Sequence, residues 1–552
     1  MSKVKPKQEH FRGFTRGLGM TKVGKILPNL YATGLRVLAV TAFLSLKFLL
    51  SHNMVRNELD VSPLAKQYAD PTWIPGDWYL NQPPGYRLLF ETLFGRLIVA
   101  WGFLATSLVG RLICYGLVAS GLVLIGRRLG LSLPLLLLAI GLFLYTGRQG
   151  TGASEWLVGG LEAKSVAYGL VLLAIGLMLE GRYRWMALML GLATSCHVLV
   201  GGWAFLTVLG WLALRWNRFK DVRQLGLILL IYLSASAFAI RPVLEQLFLT
   251  LPASPVTPSY IYVFLRLPHH LNPLLWFSIW WIKPTVYLLM LTLSFSLWRQ
   301  QQSGKQSGQH TAYRSLIEFT LISLVPFMLG LAIAPLDTQG RLLQYYPFRL
   351  SDVMLPLNTC LLFACALQQT FTGRGRQMLL LICIVVLSWK FSIQSVHFHK
   401  QFLALRQFPQ VDPELKALCN WVRKFTPPDA TVVSPPVDFV EFTWLAERPT
   451  IAKFKLLPQT KAGILSWYER LSDLSGGFSS WSTAVGTRDP RKEIRRALTN
   501  GYNHLTTTQA DALMSKYQST YFMTRIEHHL DLPTVYHNSR YVLYSRKPLY
   551  RK

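Results

Sequence analysis

Carboxylates are scarce in this sequence. Asp and Glu number 27 against 57 Lys and Arg in 552 residues, and charged side chains make up only 15% of the chain. Soluble domains carry roughly 25% charged residues, so an ordinary water-exposed surface is excluded over most of the length. The six cysteines, Cys114, Cys196, Cys360, Cys365, Cys383 and Cys419, show no CxxC or Cys/His ligand spacing. That leaves no disulfide framework and no zinc site, and they read as small core fillers. There is no P-loop, no GxGxxG behind a strand, no HExxH and no GxSxG elbow, so nucleotide hydrolysis, dinucleotide redox and serine hydrolysis lose support. Internal repeats and low-complexity tracts are also missing; "RQQQSGKQSGQH" (299–310) is a polar linker.

What is abundant is apolar. Hydrophobic residues make up 51% of the chain and the mean hydropathy is +0.29, the profile of a polytopic membrane protein. Apolar runs that can cross a bilayer, some short against the ~20 residues a straight helix needs, lie near 28–50, 103–126, 132–147, 164–181, 184–199, 201–216, 224–241, 274–298, 316–335, 350–370 and 376–395. The fifth and sixth come from one stretch, divided here at Gly201-Gly202 because it is too long for one span.

The net charge of +30 is explained by topology, because basic residues sit in short loops between runs and form no single stripe for nucleic acid. Residues 1–27 hold Lys3, Lys5, Lys7, Arg12, Arg16, Lys22 and Lys25 without a clear cleavage site and read as a retained cytoplasmic arm. Alternate loops are then basic and cytoplasmic: Arg127-Arg128; Arg182 and Arg184; Arg215, Arg218, Lys220 and Arg223; Arg299, Lys305 and Arg314; Arg374 and Arg376. This pattern requires the segment between Arg96 and Arg111 to be a helix at the outer interface before the second span. Most acids of residues 1–399 then face outward: Glu58, Asp60, Asp70, Asp77, Glu91, Glu155, Glu162, Glu245, Asp337 and Asp352, against Glu9, Glu180, Asp221 and Glu318 inside. The positive-inside rule by itself also leaves acids outside by default.

After the last run the composition changes. "ATVVSPP", "RPTIAKF", "STYFMT" and "YVLYSR" read as strands, and 412–425, 460–475, 490–500 and 508–516 as helices or turns. The expected fold class is an α-helical polytopic membrane protein of about 11 transmembrane helices (28–398, with an outward loop at 51–102) followed by an extracytoplasmic α/β domain (399–552).

The order of one span, an acid-bearing outward loop, an interfacial helix, further spans and a terminal outward domain resembles the GT-C glycosyltransferases. The segments "PLAKQYADPTWIPGDWY" (63–79), "GGLEAKSVAYGL" (159–170), "CHVLVGGW" (196–203), "LRLPHHLNP" (265–273) and "WVRKFTPPDATVVSPP" (421–436) are similar to those of a bacterial group of GT-C-like membrane proteins. The resemblance implies a bacterial inner-membrane enzyme that takes a sugar from a polyprenyl-phosphate donor outside the cell. It also implies that an Asp or Glu of the first outward loop is the base or a ligand to a divalent cation and acceptor. The partners implied are membrane lipid, a lipid-linked sugar donor and an envelope acceptor, with no nucleic acid.

The residues themselves can be read for that chemistry. An attacking sugar hydroxyl must lose a proton, and a carboxylate beside it serves as base. Asp77, in "PGDWY" beside Trp78 and Tyr79, which can stack on a sugar ring, is the first choice, with Asp70 and Asp60 as fallbacks; an Asp before Pro71 also commonly starts a turn. A departing lipid phosphate calls for cations, supplied by Lys164, Arg241, Arg266 and Arg341 or else serving as interfacial anchors. Glu162 and Lys164 form a local pair or line a polar site. His197 stands near the outer end of its span as a ligand-facing or a packing residue. His269 and His270 cannot both face one way on a regular helix, so one meets a phosphate or metal while the other holds the loop. Two adjacent His make no metal site alone. Two other function classes fit the same spans: a secondary transporter or flippase, and a non-catalytic scaffold for envelope assembly.

Overall fold

A computed structural model describes residues 20–51, 55–145, 149–215, 222–250, 254–301, 307–405, 411–477, 487 and 489–546. Residues 1–19 of the basic arm, Arg218, Lys220 and Lys305 lie outside the described residues. Each of the apolar runs forms helix: α1 (Met20–Phe48), α3 (Leu88–Arg128), α4 (Leu133–Tyr145), α5 (Ala163–Leu179), α6 (Tyr183–Cys196), α7 (Val198–Leu214), α8 (Val222–Ala235), α10 (Ser278–Gln300), α11 (Ser307–Ile333), α12 (Arg349–Thr370) and α13 (Gly373–Ala404). Two further helices, α2 (Val55–Ala69) and α9 (Ala237–Phe248), and short helical turns at 85–87, 258–275 and 343–345 also belong to this part.

Five of the described helices are long and apolar enough to cross a membrane, and a sixth arises if α8 and α9, bent by 78°, form one span. Three apolar helices, α4, α5 and α7, are shorter. Length and composition therefore support several spans among the described residues and do not confirm the expected count of eleven.

Two breaks show how the backbone, more than hydropathy, divides these runs. In α3, Gly102 adopts φ 77° and ψ 173°, open to glycine alone at no steric cost, and separates 88–101 from 103–128. The second break corrects an expectation. The long run between α6 and α7 divides at His197 (φ −153°, ψ 101°), not at Gly201-Gly202. Gly201 stays helical because α6 and α7 touch there: a Cβ on it would come 2.2 Å from the Thr194 amide nitrogen.

Helix α2 is pinned to α3 by a buried ion pair, Glu58 Oε1 to Arg111 Nε at 2.7 Å. Ser107 Oγ and the Leu161 amide also donate to the Glu58 carboxylate, at 2.7 and 2.6 Å. Every oxygen is thus partnered, which a charge at this depth requires. Similarly, Asp352 of α12 accepts from the amides of Thr151, Gly152, Ala153 and Glu155 at 2.7–3.0 Å, folding the 149–162 loop around its carboxylate. Gly150 admits that approach, since a Cβ would lie 2.2 Å from Asp352 Oδ2.

Helix α13 runs on to Ala404, past the expected boundary at 399. The C-terminal part comprises α14 (Pro413–Phe425), β1 (Val432–Val433), α15 (Lys461–Leu474), α16 (Pro490–Asn503), α17 (Thr507–Lys516), β2 (Tyr521–Arg525), β3 (Thr534–His537) and β4 (Tyr541–Ser545). The sheet order is β1-β2-β4-β3, with β1 parallel to β2 and the other pairs antiparallel. "RPTIAKF" contributes one bridge, Thr450 to Val432, and no strand. β3 went unread because its residues are half-exposed at an edge and lack a strong alternation.

This domain packs directly on the loop after α2. Asp77 Oδ2 accepts from the Thr450 amide at 3.0 Å, Leu456 joins Leu64, Ile74, Tyr79 and Leu80 in one core, and Arg470 lies 4.5 Å from the Trp78 ring. Ile261 and Leu265 of the 256–275 segment enter the domain's main core with Phe454 and Trp467.

Candidate functional site

Where these pieces meet there is a cavity of about 420 Å³. Its walls come from α2 (Asn57, Asp60, Val61), the loop before α3 (Tyr86, Arg87), the start of α5 (Trp156, Glu162, Lys164), the 258–270 segment (Tyr262, Arg266, His269, His270), the start of α12 (Tyr346, Arg349) and the C-terminal domain (Lys455, Lys461, Arg491). The lining is rich in cations. A second, almost wholly apolar groove of about 410 Å³ runs between α7 and α11, lined by Leu206, Leu329 and Ile333 among others. Val198, Leu199 and Tyr345 line both spaces.

Asp60 is the carboxylate of residues 55–102 that reaches the cavity. The Tyr79 hydroxyl donates to its Oδ1, and Arg87 Nη1 stands 3.9 Å from the same oxygen. Glu162 faces the cavity too; its Oε1 has no hydrogen-bond partner and its Oε2 lies 3.9 Å from Lys164 Nζ. Burial pushes the Glu162 carboxyl up, against the pull of Lys164 and Arg87.

Behind them, Glu155 is buried between two cations, Lys164 Nζ and Arg349 Nη2, both 3.5 Å from its Oε1. Burial raises this carboxyl, but Arg349 and Lys164 outweigh burial and hold it at about 2. Lys164 also lies 4.0 Å from the Trp156 ring, and Arg349 3.8 Å from that of Tyr346.

Arg349 Nη1 donates to His197 Nε2 at 2.9 Å. A neutral imidazole has one acceptor nitrogen, and this short contact takes it, so Nδ1 carries the hydrogen and the 3.4 Å approach of the Val200 amide to it is a contact without a hydrogen bond. His270 Nδ1 donates to the Ala153 carbonyl, which leaves Nε2 as the acceptor of the neutral ring. Burial lowers the His270 imidazole to about 4, so it is uncharged at neutral pH. Its neighbour His269 contacts Arg491 Nη1 through Nε2 at 3.2 Å, which ties the 268–271 turn to the C-terminal domain.

Of the residues singled out in the sequence, Asp60, Glu162, Lys164, His197, Arg266, His269 and His270 come together at this cavity. The others stand elsewhere. Asp77 is 1% exposed with Oδ1 on the Leu80 amide at 2.8 Å and Oδ2 on that of Thr450, so its carboxylate joins loop to domain and does not line the cavity. Asp70 closes a turn, accepting from the Thr72 amide and hydroxyl at 3.2 and 2.6 Å. Trp78 packs under Arg470, and Tyr79 is 5% exposed, its hydroxyl spent on Asp60. Arg241 pairs with Glu245 at 2.7 Å on an exposed helix face. Arg341 is exposed, with its amide on Asp337.

The sequence reading missed Arg87, Arg349, Lys455 and Arg491. Arg349 had a usable signal: it opens an apolar run beside Asp352, and charge at that depth is costly enough to mark a site. Lys455 and Arg491 had none, since only the docking of the C-terminal domain carries them to the cavity. For a divalent cation the residues do not fit. No group of three His, Cys, Asp or Glu able to hold a metal ion occurs among the described residues, and the cavity's carboxylates already face Arg87 and Lys164.

A family model described as a domain of unknown function (DUF6798) matches residues 413–474, the start of the C-terminal domain. No curated protein matches the chain. Among solved structures, the chain is similar to the oligosaccharyltransferase of Archaeoglobus fulgidus. Against its apo form the TM-score is 0.46 at 12% identity, over 90% of this chain and 70% of that one. Against the form tethered by a disulfide bond to an acceptor peptide containing the NVT sequon, the TM-score is 0.41 at 11% identity, over 90% and 69%. At these scores no residue role is carried across.

Proposed function

We propose that the protein is a membrane glycosyltransferase that moves a sugar from a polyprenyl-phosphate donor to an envelope acceptor on the non-cytosolic side of a bacterial inner membrane. The observation that carries this reading is the cavity itself, where the Asp60 and Glu162 carboxylates and a cationic wall adjoin an apolar groove. In the reaction, the acceptor oxygen bonds to the anomeric carbon as the bond from that carbon to the phosphate oxygen breaks. Asp60 takes the hydroxyl proton. The lipid phosphate leaves with the electron pair and is met by Lys164 and Arg349, while the polyprenyl chain lies along the groove reached past Val198 and Leu199. His197 positions Arg349, and Tyr79 with Arg87 orients Asp60. The contact between the 70–82 loop and the C-terminal domain supports one compartment for both.

Release of polyprenyl phosphate from a lipid-linked sugar by the purified protein tests the reading. Asp60→Asn is expected to cut that release by about 10² or more with the fold intact; an unchanged rate removes Asp60 from its role, and no release with any donor or acceptor removes the transferase. The 78° bend between α8 and α9 favours a second reading, since broken helices also occur in transporters. Donor-dependent uptake into vesicles without bond cleavage would select it.

A further inference from the structure

The cavity's cations fall into two sets with different surroundings. Lys164 and Arg349 share the buried Glu155, and Arg349 bonds His197, next to Val198 and Leu199 where the apolar groove meets the cavity. Arg266, Lys455 and Arg491 have no carboxylate within ion-pair distance among the described residues. Arg266 is 8% exposed, spends Nη2 on the Lys455 carbonyl at 2.9 Å, and leaves its buried Nε without a hydrogen-bond partner. Arg491 Nε is likewise buried and unpartnered.

Burying guanidinium N–H groups without acceptors is costly, and crowding them adds repulsion. Arg491 is lowered to about 10 by burial and by the neighbouring Arg266 and Arg495. Burial lowers Lys455 as well, with Arg266 adding to it. An oxyanion between them would satisfy the open N–H groups and relieve the repulsion together.

We infer that Arg266, Lys455 and Arg491 form a second oxyanion site, separate from the Lys164–Arg349 pair, that holds a carboxylate or phosphate group of the acceptor. The assignment to the acceptor rests on the transferase reading, and three observations favour it over the lipid. Lys455 and Arg491 belong to the C-terminal domain, which contributes nothing to the apolar groove. The groove meets the cavity at Val198 and Leu199, beside His197 and so on the Arg349 side. Asp60 lines the same cavity as both cationic sets, so an acceptor anchored at this site can present its hydroxyl to the base.

Equilibrium binding of inorganic phosphate, glucuronate and polyprenyl phosphate to the full-length protein in lipid nanodiscs tests the inference without any transfer step. Phosphate is expected to bind even when polyprenyl phosphate is saturating. Arg491→Gln, at a half-buried position, is expected to weaken phosphate by about tenfold and to leave polyprenyl phosphate within about twofold. Lys164→Gln is expected to do the reverse. Glucuronate that displaces phosphate marks a carboxylate acceptor, and glucuronate that does not marks a phosphorylated one. Displacement of phosphate by polyprenyl phosphate, equal weakening of both ligands by Arg491→Gln, or no binding of either soluble anion overturns the second site. Two intact sites in a protein that transfers no sugar would instead count against the transferase alone.

Discussion

Asp60 and Asp77 are the same residue type in the same region, and their surroundings give them different work. Both Asp77 oxygens are taken by backbone amides, and burial pushes its carboxyl up while the hydrogen bonds from Leu80 and Thr450 pull it down. Asp77→Asn is therefore expected to loosen the loop from the domain, costing about 1–3 kcal/mol in thermal or chemical unfolding, with activity retained in the folded fraction. Asp60→Asn should show the opposite pattern. Glu155 offers a pH test. Its folded value of about 2 lies below the ordinary 4.5, so its contribution to stability is present above 4.5 and is lost as pH falls through 2. The stability gap between the wild type and Glu155→Gln is expected to be constant above about pH 5 and to close toward pH 2 in melting curves; a gap independent of pH would remove the ion pairs as its cause. At this scale the sequence offered the right residue types and ranked them poorly, because a carboxylate's role depends on which amides and cations reach it.

Helices set where these side chains stand. Asp60 depends on α2 lying tightly across α3, and that crossing needs Gly95, where a Cβ would come 2.1 Å from the Ala65 carbonyl oxygen. Gly95→Val is expected to displace α2, destabilise the protein by about 1–3 kcal/mol and lower transfer more than Gly116→Val, at a position open to space; equal effects of the two would show that the crossing does not position Asp60. The apolar runs were legible because burial in lipid or core demands long hydrophobic segments whatever the fold. Their interruptions were less so. The break at Gly102 coincides with a glycine that punctuates the run, whereas the break at His197 leaves Gly201 inside α7, where it serves the close packing of α6 on α7.

Over the whole molecule, the loop after α2, the 256–275 segment, the start of α12 and the C-terminal domain close one cavity. A cysteine pair at Gly76 and Pro449, whose side chain would lie 3.3 Å from a Cβ on Gly76, is expected to crosslink in the intact protein. Reporter fusions are expected to place both positions in the non-cytosolic compartment, and a cytosolic C-terminal domain would break the proposed topology. The sequence by itself determined the class of protein, the helical runs and most of the C-terminal helices and strands, because hydropathy, capping and alternation are local properties of the chain. Only the tertiary structure decided which carboxylate reaches the cavity and which is consumed in holding the loop. It alone brought Arg349, Lys455 and Arg491 to the site, because their proximity to Asp60 is created by the packing of segments far apart in the chain and leaves no local pattern to read.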